Sequence, residues 1–328
     1  MTGAGASDLL HAEDTGVEQM ITGETSVAAR SPLQLFWRRL RRDRVAMVAG
    51  AFIIALILVA IFAGVITKVV GAPAPNVQQT SALDDFGLPS GPSSEHLFGV
   101  DPIGRDVFSR VLYGARVSLK VAFIGTGLSV LFGIFWGTIA GFFRGFIDTA
   151  ISRTLDVLLA FPVLLLGLGL ATACSGQDGC AGGLIQPGLS VVIFIIVVAN
   201  TPYVARIIRG QVLSLREKEF VEAARSQGAS KLHLVLRHIL PNALGPVIVA
   251  STIEVSTAII AESTLSFLGL GFPPDIPTWG RILFDAKDHL EFAPHWALFP
   301  GAAIFLTVLS INFVGDGLRD ALDPRRML

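Results

Sequence analysis

The sequence predicts an all-α membrane protein with six transmembrane helices, and three observations carry that reading. Hydrophobic residues make up 52% of the 328-residue chain, charged residues 16%, and mean hydropathy is +0.64; soluble domains carry about 25% charged residues. Several apolar runs reach the roughly 20 residues needed to cross a hydrocarbon core. Lys and Arg gather in alternate loops, the asymmetry expected of a chain threaded through a bilayer. The net charge of −1 says little about partners, because in such a chain the distribution between faces is what matters.

The spans are expected at 45–67 and 121–143, both free of charge, then 157–172, 189–205, 243–265 and 296–315. The fourth is interrupted by Asn200 and Pro202, and the fifth carries Glu254 and Glu262. An even number of spans puts both termini on one side. With the termini inside, 18 of the 25 Lys and Arg residues face the cytoplasm, from Arg30 and the Arg38–Arg44 cluster to Arg325 and Arg326. Lys68, Arg105, Arg110, Arg116, Lys120, Arg281 and Lys287 face out, so the positive-inside bias predicts cytoplasmic termini.

Residues 1–29 hold Asp8, Glu13, Asp14, Glu18 and Glu24 with no Lys or Arg and no apolar periodicity, which predicts a disordered acidic tail. The basic cluster and first apolar run come after it, with no small-residue cleavage site, so a signal peptide is not expected. Residues 30–70 form a basic segment and the first span, and 71–115 an external loop. In that loop Asp101 followed by Pro102 predicts a helix start. Asp106 and Arg110 lie one turn apart, and Val107, Val111 and Leu112 repeat at helical spacing. This helix is expected at the outer membrane surface or as a cap on the bundle, with contact to a substrate or binding protein as the other reading. No internal repeat or second soluble domain is evident.

Cys174 and Cys180 bracket the loop CSGQDGC on the external side, where a disulfide can persist; a pair of free thiols is the alternative. No zinc-like spacing of Cys and His accompanies them, so no metal site is expected.

Between the fourth and fifth spans lies a polar, cation-rich stretch, EFVEAARSQGASKLHLVLRHILPNALGPV. Ala223 and Ala224 are small enough for another protein to approach closely, Glu222 offers a charge, and Gly228 permits a turn. Arg225, Lys231 and Arg237 keep the exposed face soluble, and Pro241 is expected to mark the break before the next span. An ordinary amphipathic loop helix is the plainer reading.

Here the chain resembles the inner-membrane permease subunits of ATP-binding-cassette importers, whose shared pattern is Glu-Ala-Ala, three residues, Gly, nine residues, then Ile-x-Leu-Pro, with His238 standing here in place of that Ile. Glu222, Ala223, Ala224, Gly228, Leu240 and Pro241 are in register with it, and the RHILPN form at 237–242 is similar to the dipeptide/oligopeptide branch. FGVDPIGRDVFSRVLYGARVSL (98–119), ESTLSFLGLGFPPDIPTWGRIL (262–283) and GDGLRDALDPRR (315–326) resemble the C-type subunit of that branch. The resemblance implies a type I ABC importer permease fold in the cell inner membrane. Residues 116–328 would then form a core of five spans containing a cytoplasmic coupling segment at 209–241. It also implies a heterodimer with a homologous B-type permease, two ABC ATPase subunits that bind ATP and Mg, and an extracytoplasmic substrate-binding protein delivering peptide. No nucleic-acid partner, catalytic residue or bound cofactor is expected in this chain. None of its five lysines follows a glycine, so it lacks the phosphate-cradling loop of an ATPase.

Ionisable groups within a span usually face a protein interior or a watery cavity. Ser251, Glu254, Ala258 and Glu262 share one helical stripe, and they, with Asn200, are candidate lining of a translocation path. Pairing of Glu254 with the partner permease and an interfacial place for Glu262 are the alternatives. Nickel or another small solute stands beside peptide as cargo. In a different class, an ion-coupled secondary transporter would use Glu254 or Glu262 and need no ATPase.

Overall fold

The computed structural model describes residues 32–322 except 175, 177 and 178; the acidic tail, Arg30, Arg325 and Arg326 lie outside the described residues. Eleven helices are named in chain order. They are α1 (Pro32–Leu40), α2 (Arg44–Ile61), α3 (Ala63–Val70), α4 (Val107–Phe142), α5 (Phe146–Ala160), α6 (Val163–Ala173) and α7 (Leu189–Leu215). After them come α8 (Glu219–Ser226), α9 (Lys231–Phe267), α10 (Trp279–Ala286) and α11 (Pro294–Leu322). Among the described residues five helices, α2, α4, α7, α9 and α11, are long and apolar enough to span a membrane, and the bent pair α5 and α6 makes a sixth crossing if it is one span.

Burial sorts these spans into a centre and a rim. Half of the apolar window of α7 is buried, against 17% for α2 and α11. The centre is therefore α4, α7 and α9, while α2 and α11 present Ile54, Ile61, Phe305 and Leu306 outward. Without a hydrophobic force between helices in lipid, close packing requires small residues at the contact. Gly133, Gly137 and Gly141 of α4, one turn apart, provide it: a Cβ on Gly137 would stand 2.4 Å from the Ala205 carbonyl oxygen and 2.8 Å from Ile208 Cβ.

Four expectations from sequence are corrected. The external helix does not begin at Asp101 and Pro102. Gly104 adopts φ 76°, which no helix tolerates, and the Asp101 carboxylate closes a turn by accepting from the Ile103 and Arg105 backbone N–H groups. The helix begins at Val107 with Asp106 as its N-cap, accepting from Ser109 N at 2.7 Å. It is also not a separate element on the membrane surface. It is the start of α4, whose 36 residues extend about 54 Å, beyond a hydrocarbon core of about 30 Å. Val107, Arg110 and Ala115 are buried there, and Arg110 pairs with Asp285 rather than with Asp106.

The third span is not one straight helix at 157–172; α5 and α6 meet at 89°. Pro162 accounts for the break, because the residue before a proline is driven to extended backbone, and Phe161 has φ −82° and ψ 126°. Finally, Pro241 does not interrupt the chain between 231 and 267. A π-helical turn at Leu234–Ile239 precedes it, and the Asn242 side-chain amide donates to the His238 carbonyl at 2.7 Å. The wider turn and the local bond accommodate the donor that proline lacks.

Gly137→Ala is predicted to lower the thermal midpoint of the purified chain, since overpacking costs about 1–3 kcal/mol. Gly127→Ala, on the same helix with nothing within 4 Å of its Cβ, should leave the midpoint unchanged or raise it. Equal midpoints for the two variants would refute the glycine contact as a packing constraint.

Candidate docking face and polar span residues

The segment between α7 and α9 is held from three directions. Arg216, at the end of α7, donates to the Gly141 and Phe142 carbonyls (2.8 and 3.2 Å), which satisfies the last turn of α4. Its Nε also meets Glu217 at 3.2 Å, and Glu217 pairs in turn with Arg144. Val221 of α8 is fully buried in a cluster with Val204, Ile208, Val212, Leu234 and Ile239. Val221, with the half-buried Ala224 beside it, thus fixes α8 to the bundle while its other faces stay outside.

Glu219 and Glu222 occupy the first turn of α8 and Arg225 the last, the arrangement the helix dipole favours. Glu222 and Ala223 are exposed and Ala224 is half-buried. Gly228 ends the helix with φ 84°, where its N–H bonds to the Arg225 carbonyl and Ala229 N–H reaches the Ala224 carbonyl. Ser230 then caps the start of α9, accepting from His233 N–H. Leu240 and Pro241 stand apart from Glu222 and Ala223, on α9, with Leu240 half-buried and Pro241 exposed. Phe220, 43% exposed beside Ala223 on the helix surface, belongs to the same outer face. Sequence reasoning passed over it; the signal was an apolar residue out of phase with Val221.

The five candidate path residues fall into different environments, and Ala258 is buried in the apolar core. Asn200 of α7 and Glu254 of α9 come together: the Asn200 side chain lies beside the Glu254 carboxyl, whose Oε2 has no hydrogen-bond partner among the described residues. Ser251 bonds within its own helix to the Ile248 carbonyl at 2.7 Å. Glu262, with no exposed surface, lies in a closed polar knot. Ser118 of α4 donates to its Oε2 (2.9 Å) and Ser266 to its Oε1 (2.8 Å), with Ser263 at 3.5 Å. The Ser118 hydroxyl also accepts from Trp279 N–H of α10. Glu262 therefore binds three helices together.

Near this knot and at the end of α4 remote from Arg216, Asp285 faces Arg105, Arg110 and Arg281 at 3.6, 3.6 and 2.9 Å, and His96 pairs with Asp106 at 2.9 Å. These pairs join the 71–106 loop to α4 and α10. Cys174 and Cys180 form a disulfide with Cα atoms 4.9 Å apart, next to the bridge between Cys180 and Ile185. Among the described residues, no three His, Cys, Asp or Glu side chains are grouped to hold a metal ion.

Residues 133–327 match the family of binding-protein-dependent transport system inner membrane components. The chain belongs to this family. Residues 31–86 match the N-terminal transmembrane domain of oligopeptide transport permease C, which identifies the branch. The chain is 39% identical to the dipeptide transport system permease protein DppC of Alkalihalophilus pseudofirmus, over 92% of this chain and 93% of that one. It is 43% identical to the glutathione transport system permease protein GsiD of Escherichia coli, over 90% and 91%. A chain of the MetNI methionine ABC transporter, solved in inward facing conformations, shares the fold with a TM-score of 0.54 at 19% identity, over 65% of this chain and 96% of that one. The permease thus has the type I importer fold, and the matched transport-component region takes in α5 to α11, with α8 and both glutamates.

The geometry separates the two glutamates by variant. Glu262→Ala leaves several buried hydroxyls without their acceptor, each unmet group costing about 1–3 kcal/mol, so yield and thermal midpoint of the inserted permease should drop. Glu254→Gln keeps the shape and the Asn200 contact, and its midpoint should match wild type. A Glu262→Ala midpoint equal to that of Glu254→Gln would contradict the structural assignment.

Proposed function

We propose that this permease is the C-type subunit of an ATP-driven importer of di- and oligopeptides, and that α8 with the Gly228 turn is its coupling element. The observation that carries the reading is the construction of α8. Its outer face offers Glu222, Ala223 and Phe220, while Val221 and the Arg216 contacts anchor it to α4, α7 and α9. A partner seated on that face would move the spans rather than a loose loop. The relatives' names, a dipeptide and a glutathione permease, support a peptide cargo. The partners are then a homologous B-type permease, two ATPase subunits binding ATP and Mg, and an extracytoplasmic binding protein.

Glu254 and Asn200 are the residues of choice for a translocation path, because Glu254 retains an oxygen with no partner among the described residues. Glu262 acts through the shape of the bundle instead. An ion-coupled transporter built on Glu254 would leave the exposed face of α8 without a role. Nickel or another small solute would use the same coupling element, and cargo is decided by the ligand of the co-purifying binding protein.

Gly228 tests the coupling element. Its φ of 84° disfavours any side chain, while the space around it is open. Gly228→Val should cut uptake of a labelled dipeptide more than about tenfold, since a β-branched residue is strained at positive φ. Gly228→Asn should retain most uptake because Asn tolerates this conformation. Wild-type uptake and substrate-stimulated ATPase activity in Gly228→Val, with the complex inserted, would sink the assignment.

The orientation has its own test. Single cysteines at Ser230 and Ser94, in a background lacking Cys174 and Cys180, should label from opposite faces, with an impermeant maleimide reaching only Ser94 in spheroplasts. Labelling at Ser230 there would reverse the proposed topology.

A further inference from the structure

On the side of the bundle that carries α8, two cavities run into one another. An apolar groove of about 500 Å³ lies between the C-terminal half of α4 and the start of α9, walled by Leu131, Phe135, Ile139, Leu232, Val235 and Leu236. A polar cavity of about 610 Å³ adjoins it beneath α8, with Arg144, Arg216, Glu217, Arg225 and Lys231 in its wall. Phe142, Phe143 and Lys231 line both, so the apolar slot opens into the cation cluster.

The charges do not cancel. Among the described residues, Glu217 is the single acidic residue of the polar cavity against four cations. It engages Arg144 and Arg216, and Arg216 is further committed to the Gly141 and Phe142 carbonyls. The exposed side chains of Arg225 and Lys231 have no ion pair or hydrogen bond among the described residues.

The dimensions fit a membrane component. From Leu131 to Phe143 the groove follows α4 for about 18 Å, close to the roughly 15 Å depth of one leaflet's hydrocarbon, and Arg144 follows at its end. The π-helical turn at Leu234–Ile239 supports the same arrangement: it sends Leu234 and Ile239 into the core and leaves Val235 and Leu236 on the groove wall. Single π turns recur at functional sites.

We propose that this composite cavity binds an anionic phospholipid, with an acyl chain in the groove and the phosphate between Arg225 and Lys231. A soluble anion would leave the apolar half unused, and a zwitterionic headgroup brings its own ammonium to a site already rich in cations. Because Arg225 closes α8 and Lys231 opens α9, a phosphate held by both would tie the ends of the proposed coupling element together. The binding itself does not depend on that role.

The test uses the full-length chain purified in dodecyl maltoside and followed by native mass spectrometry. Palmitoyl-oleoyl phosphatidylglycerol should be retained at one copy per chain, about tenfold or more tighter than the matching phosphatidylcholine, and millimolar inorganic phosphate should not displace it. A surface cation strengthens attraction to anionic lipid about fivefold. The double variant Arg225→Gln/Lys231→Gln should therefore bind phosphatidylglycerol about 25-fold more weakly with phosphatidylcholine unchanged, and Arg225→Lys/Lys231→Arg should restore it. Should the double variant aggregate, Lys231→Gln alone, on an exposed side chain, carries the same comparison. Equal binding of the two lipids, or undiminished phosphatidylglycerol binding after removal of the cations, overturns the proposal. A photocrosslinker at Leu236 in native membranes should give a lipid adduct; an adduct to protein alone would make the groove a subunit interface and overturn it equally.

Discussion

The close approach of α4 and α7 is the constraint on which the rest of this permease depends. Lipid offers neither a hydrophobic drive to hold helices together nor water for stray polar groups. Cohesion then rests on surfaces that fit, and the glycines at 133, 137 and 141 let the α7 backbone come within contact of α4. With the two axes close, Ser129 can bond within its own turn to the Gly125 carbonyl and lie 3.5 Å from the Ile196 carbonyl of α7. At the far end the Arg216 guanidinium spans the same gap to the last carbonyls of α4. That bond fixes where α7 stops, and so where α8 begins.

What the sequence disclosed follows from how local each signal is. Composition and run length marked the membrane class and every span but one, because hydropathy needs no knowledge of neighbours. The bend between α5 and α6 escaped, although Pro162 was visible, because an apolar run of span length hides a change of direction within it. The start of α4 was misjudged for a related reason. Asp101 and Pro102 make a plausible cap, but Asp106 makes the real one, and what decides between them is Gly104 packed against Gln79, a contact remote in sequence. The stripe of Ser251, Glu254, Ala258 and Glu262 was legible as a stripe. Whether each member faces a cavity or a neighbouring helix was not, since Ser118 and Asn200 arrive from other spans.

The two glutamates illustrate how a membrane protein retains ionisable groups. Both lie on α9 two turns apart, and both are expensive to bury. Glu262 is surrounded by hydroxyls from its own helix and from α4, close to the first turn of α10, which exchanges its hydration for fixed dipoles and leaves it no freedom. Glu254 has one amide neighbour and, among the described residues, one oxygen without a partner. A carboxyl left partly unsatisfied can take a further donor, whereas a saturated one has no acceptor to spare. The difference lies in the neighbours rather than in the residue.

The helices around α7 also differ in how firmly they hold it. Against α4 the contact is close-packed and carries buried carbonyl bonds. Against α5 it rests on the bidentate Arg209–Asp148 pair and on the largely exposed Arg206–Asp156 pair, the latter worth about 0–1 kcal/mol. Displacement of α7 alone would break the first contact, while displacement of α4 and α7 together only loosens the second. Val221 and Arg216 join α8 to α4, α7 and the start of α9 at once, so all three helices meet at that one short element. Glu262 with Ser118 ties α9 to α4 as well, so Asn200 on α7 and Glu254 on α9 belong to one packed unit that also holds α8.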